Sequence, residues 1–240
     1  MNQPLSAETR TEANDPMLLS PDAARALLAE VPWRRFAVIG DSTAAGTGDP
    51  APGYETRSWP DRLARALRSA HPDLEYLNTG VMGATIAQVR DTQLRQVLEF
   101  APDLVHISCG GNDLFLPDAD LARVESDLDE LCAALAADGA RLSMFTLADA
   151  FFDRLRSLRP RFVAFADIVR RVAGRHDAIL TEFWEHPARL REDWLSADRI
   201  HLTMAGQAVV AAELLKSLGR HGDSTPTGTV GNRRRPGHED

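Results

Sequence analysis

Short apolar runs alternate along this chain with longer segments whose apolar positions recur three and four residues apart. The first pattern predicts buried parallel strands and the second amphipathic helices. Strands are expected at Arg35–Ile39, Leu74–Leu77, Asp103–Cys109, Arg141–Leu147 and Ala178–Thr181. Between them, Ser58-Trp59-Pro60 opens a helix that runs to Ala70, where His71-Pro72-Asp73 stops it, because proline cannot continue a helix. One continuous helix is expected over Ala84–Phe100, another over residues 119–138, and a third over Arg161–Gly174. A first helix begins at Ser20-Pro21-Asp22 with Ala24, Leu27, Leu28 and Val31 as its apolar stripe, and a last one runs from Thr203 to Leu218. Strand and helix alternate about five times, which implies a parallel sheet with helices on both faces and right-handed crossovers.

The ends of the chain break this pattern. Residues 1–19 are polar and aperiodic and read as a flexible arm, residues 20–220 as one domain, and residues 221–240 as a disordered Gly/Ser/Thr/Pro/Arg tail. The connection 182–202 is long for an α/β unit.

Charge and composition narrow the function classes. The net charge of −8 argues against a general nucleic-acid binder or a protein of anionic membrane surfaces. No apolar run has the roughly 18 residues that a membrane helix needs, and the N-terminus lacks the apolar core of a secretory signal. Cys109 and Cys132 form no disulfide framework, and a cytoplasmic location is expected. No Cys/His cluster at ligand spacing suggests a metal, and no cofactor fingerprint is present.

Candidate chemistry lies where the strands end. Arg35–Ile39 stops at Gly40, followed by Asp41, Ser42 and a run of small residues. A hydroxyl at the carboxyl end of a parallel strand sits where open α/β sheets keep their sites, which makes Ser42 a candidate nucleophile. Asp198 lies three residues before His201, and on one turn the two side chains fall on one side. A carboxylate there can hold the imidazole through Nδ1–H and leave Nε2 for Ser42. Taken singly, each signal has a plainer explanation: a turn, a helix cap, or, for Asn112 in Gly110-Gly111-Asn112-Asp113, support of positive φ. Asp41 is expected to bond within its own turn, and Cys109 to be a core residue facing away from His106.

The combination resembles the SGNH hydrolases, also called GDSL-type esterases and lipases. The matching residues are Gly40-Asp41-Ser42, with Thr43 in place of leucine, then Gly83, then Gly110-Gly111-Asn112-Asp113, then Asp198-Arg-Ile-His201. They occur in family order across residues 36–206. The resemblance implies a flavodoxin-like three-layer α/β/α sandwich on a sheet of about five parallel strands. It implies Ser42 as nucleophile, His201 as base and Asp198 as its orienting acid. The oxyanion hole would come from the N–H groups of Ser42 and Gly83 and the Asn112 side chain. The expected partner is a small-molecule ester, with a short or medium acyl group since no lid insertion is evident. An acyltransferase using the same residues, or a non-catalytic binding module, are the alternatives. The aromatic and apolar residues Tyr54, Phe115, Leu116, Phe151, Phe152, Phe183, Trp184 and Trp194 lie in loops expected to wall the site, or else anchor those loops.

Overall fold

The computed structural model describes residues 10–151 and 153–222. The expected arm before residue 10, the expected tail from residue 223, and Phe152 lie outside the described residues. Five parallel strands form one sheet: β1 (Arg35–Gly40), β2 (Glu75–Asn78), β3 (Leu104–Ser108), β4 (Arg141–Phe145) and β5 (Ile179–Thr181). Their order is β2-β1-β3-β4-β5. The order reverses direction between β1 and β3, and the register there aligns Gly40 with Ser108 at the strands' carboxyl ends. Ligand crevices form at such a reversal.

Alternation within the strands explains the three layers. Ala37 and Ile39 of β1 pack with Val105, Ile107, Leu142 and Met144 under one set of helices. These are α4 (Ile86–Thr92), α5 (Leu94–Phe100), α6 (Leu121–Ala136) and α7 (Arg159–Arg175). Phe36 and Val38 point the other way, against α1 (Pro21–Leu27), α3 (Trp59–Ala70) and α8 (Met204–Gly222). A strand buried on both faces must be apolar at successive positions, so β1 reads as a run rather than an alternation. Cys109 falls in the first core, whereas His106 contacts Trp59 and Phe145 on the opposite face. No helix among the described residues is long and apolar enough to cross a membrane.

Two expectations need correction. The single helix over Ala84–Phe100 is two helices meeting at Gln93, which is 2 % exposed. Its side-chain Oε1 accepts from Gly40 N at 3.0 Å and its Nε2 donates to Gly40 O at 2.8 Å. The helix axis breaks where this side chain reaches in to bind the end of β1. Residues 10–19 are not a free arm. Glu12 pairs with Arg62, and Asp15 accepts from the Tyr54 hydroxyl at 2.6 Å and pairs with Arg191 at 2.8 Å. The polar residues of this segment are matched to specific partners, and Met17, Leu18 and Leu19 pack against the core beside them.

Candidate active site

Gly40 sets the site's position. Its φ is +149°, and a Cβ here would lie 1.9 Å from the Ser108 carbonyl oxygen, so only glycine lets β1 end this close to β3. Asp41 N–H then bonds to that same carbonyl at 2.9 Å. The chain turns at once into a one-turn helix, α2 (Ser42–Ala45), whose N-cap is Asp41: its Oδ1 accepts from Thr43 N at 2.8 Å. The carbonyls at the other end of α2 are also satisfied. Trp59 Nε1 donates to Thr43 O at 2.7 Å, and Asn78 Nδ2 donates to Ala44 O at 2.9 Å. Ser42 is thereby held as the first residue of a short, tightly bonded turn, and its amide N–H makes no hydrogen bond among the described residues.

His201 and Asp198 arrive from the long connection before α8. Ser196 N–H donates to His201 O at 2.7 Å and closes the loop, and Leu195 pairs with Leu202 across it. Asp198 Oδ1 accepts from the amides of Ile200 and His201 at 2.9 and 3.0 Å. Its Oδ2 lies 2.6 Å from His201 Nδ1, and His201 Nε2 lies 2.9 Å from Ser42 Oγ. An ionised carboxylate only accepts, so His201 Nδ1–H donates to it, which leaves Nε2 as acceptor for the serine hydroxyl. Burial works to raise the Asp198 carboxyl, but the bonds from the His201 ring and the two amides outweigh it and hold its pKa below the ordinary value. The carboxylate therefore stays charged, as stabilising an imidazolium requires.

The loop that carries this pair is tied to the loop after α2. Asp49 accepts from Ala197 N with its side chain and from Met204 N with its carbonyl, and its own N–H donates to Ser196 Oγ. Arg191, joined to Asp15, Tyr54 and Asp193, anchors the same connection from the other side. Sequence reasoning missed Asp49, Ser196 and Arg191; no local pattern marks them, because their partners are about 150 residues away or on another loop.

The predicted oxyanion donors are placed unequally. Asn112 opens a 3₁₀ turn (Asn112–Phe115), and its Nδ2 donates to Ala84 O at 3.0 Å and lies 3.5 Å from Asp41 Oδ2. It lines the same cavity as Ser42 and His201. Gly83 sits in an exposed turn at φ +78°, one residue from that Ala84 carbonyl, and is not among the cavity's lining residues. Its N–H, like that of Ser42, has no partner among the described residues. Asp41 is 4 % exposed; burial chiefly raises its carboxyl to a pKa of about 6.

The cavity at Ser42 has a volume of about 110 Å³. Phe115, Phe151, Phe183 and Trp194 of the expected wall do line it. Phe162 joins them from α7, stacked on Phe151 with ring centres 4.0 Å apart, and Phe145 from β4. Tyr54 and Trp184 are core residues instead, and Leu116 is 46 % exposed outside the lining.

Comparison with known proteins bears on this geometry. The model of the GDSL-like lipase/acylhydrolase family matches residues 38–209. No curated protein matches the chain. Among solved structures, an α/β hydrolase enzyme from the metagenome of Lake Arreo, Spain, is 25 % identical, with 80 % of this chain and 98 % of that one covered at a TM-score of 0.65. An acetylxylan esterase from Geobacillus stearothermophilus (20 % identity, 78 % and 94 % covered, TM-score 0.64) has a similar fold. So does a lipase/acylhydrolase from Enterococcus faecalis (18 %, 78 % and 96 %, TM-score 0.64).

Proposed function

This chain belongs to the GDSL-like lipase/acylhydrolase family, and on that premise we propose that it hydrolyses carboxylic esters of short or medium acyl groups through an acyl-enzyme on Ser42. At family level it is an ester-hydrolysing serine hydrolase. The observation that carries the finer reading is the relay Ser42 Oγ, His201 Nε2, His201 Nδ1, Asp198 Oδ2, with contacts of 2.9 and 2.6 Å.

A serine hydroxyl is a poor nucleophile until a base takes its proton. As Ser42 Oγ attacks the ester carbonyl, His201 Nε2 takes that proton, and the charged ring is balanced by Asp198. The carbonyl oxygen becomes an oxyanion, for which the Ser42 N–H, unbonded among the described residues, is the donor at hand; the Asn112 amide, which here donates to Ala84 O, and the Gly83 N–H, outside the cavity lining, would each have to turn toward it to join. Each such donor is worth about 3 kcal/mol in the transition state. His201 then protonates the departing alcohol. Water, activated by the same ring, attacks the acyl-enzyme, and the acid leaves. The cavity's volume of about 110 Å³ and its aromatic wall support a small apolar acyl group; sites for drug-sized ligands run to about 300–1,000 Å³. The acetyl ester named for the Geobacillus enzyme points the same way.

Ser42→Ala tests the assignment. Hydrolysis of 4-nitrophenyl acetate and butyrate should fall by about 10⁴-fold or more, and a fluorophosphonate should label Ser42 in the parent protein alone. Undiminished turnover in the variant overturns it.

A further inference from the structure

Among the residues that line the cavity, Asp41, Arg199 and His201 are the ones with ionisable side chains. Two are already engaged. Asp41 is buried as the cap of α2, and His201 is bonded on both ring nitrogens. Arg199 differs: it is exposed, lines the cavity, and takes part in no hydrogen bond of its side chain and no ion pair among the described residues. Most arginines of the described surface are used otherwise. Arg159 pairs with Asp149, Arg170 with Asp167 and Glu182, and Arg175 with Glu125 and Asp129.

The backbone fixes where this cation starts. Arg199 has φ +64°, a left-handed conformation that costs a non-glycine residue of order 1 kcal/mol or more. It is held there by its N–H bond to Ser196 O at 2.9 Å and by the Asp198 turn on its other side. The guanidinium is therefore rooted two residues from the His201 base. Its planar fork matches the oxygens of a carboxylate or phosphate. Elsewhere the charge balance is unfavourable to anions, at −8 for the whole chain, so a cation at this mouth acts against the general field.

Resting on the Ser42 esterase reading, we infer that Arg199 selects esters whose alcohol part carries an anionic oxygen group. The small aromatic cavity takes the acyl group, and the alcohol part projects to the mouth where Arg199 stands.

The test compares 4-acetoxybenzoate with its uncharged methyl ester. For the acyl side it compares mono-4-nitrophenyl glutarate with 4-nitrophenyl butyrate. Each pair is assayed in the parent protein, Arg199→Gln and Arg199→Glu. The ratio of kcat/KM for 4-acetoxybenzoate over its methyl ester should fall about tenfold or more in Arg199→Glu. It should fall less in Arg199→Gln, and it should shrink with added NaCl in the parent. A ratio that does not move, or one that moves only for the acyl-side pair, overturns the inference. Turnover of the neutral methyl ester, lost in Ser42→Ala, would show that the esterase reading stands even if Arg199 fails this test. Absence of Ser42-dependent turnover on all four esters would remove that reading and this inference together.

Discussion

Replacing Asp41 by asparagine should stabilise the protein at neutral pH. Burial, the largest influence, lifts the Asp41 carboxyl from 3.8 to about 6, against the Thr43 amide and hydroxyl and the attraction of His201. Asp113 pushes it slightly further up, and the Cys109 thiol that faces it is kept neutral by its own burial. At about 1.4 kcal/mol per pH unit, an ionised Asp41 costs the folded state roughly 3 kcal/mol. The direction follows from linkage. Between pH 3.8 and 6 the folded protein keeps a proton that the unfolded chain has released. The contribution to stability is therefore full below pH 3.8 and is lost as the pH rises through 6. Asparagine keeps the shape and the acceptor for Thr43 N–H but does not titrate. As an N-cap it is equivalent to aspartate, but its Nδ2 replaces the Oδ2 that Asn112 Nδ2 approaches at 3.5 Å, and losing that acceptor costs about 1 kcal/mol. Asp41→Asn should thus be more stable than the parent by about 1–2 kcal/mol at pH 8, with the gain gone by about pH 4. Urea denaturation of both proteins at intervals from pH 4 to pH 8 measures this. A difference that stays constant across that range would refute the reasoning.

Two further substitutions test the frame around Ser42. Gly40→Ala must place a methyl group against the Ser108 carbonyl and hold a positive φ, so it should lose more than about 3 kcal/mol; a melting temperature like the parent's would show that β1 can end elsewhere. Gln93→Leu removes the paired bonds to Gly40 N–H and C=O within a buried site. It should cost about 2–4 kcal/mol by urea denaturation, and an unchanged midpoint would mean that the break between α4 and α5 has another cause.

The strands were legible because burial on both faces forces runs such as Phe36–Ile39, which no other element needs at that length. Ser42, Asp198 and His201 were legible because they stand beside those strand ends or just before the last helix. The break at Gln93 was not, since its cause is the backbone of Gly40, 53 residues away. The cavity wall was read from loop membership, and that rule failed for Tyr54 and Trp184, which face the core. It also passed over Phe145 and Phe162, which regular elements aim into the cavity. Loop position does not decide where a side chain points; packing against the sheet does.

The bond between His201 and Ser42 joins residues 159 positions apart. During synthesis the serine leaves the ribosome with its strand and its cap, yet the histidine that meets it is encoded after all five strands. A chain stopped before residue 201 holds the serine without this partner. On the reading proposed above, hydrolysis would begin only once the segment after β5 has docked, so that turnover would report completion of the whole sheet.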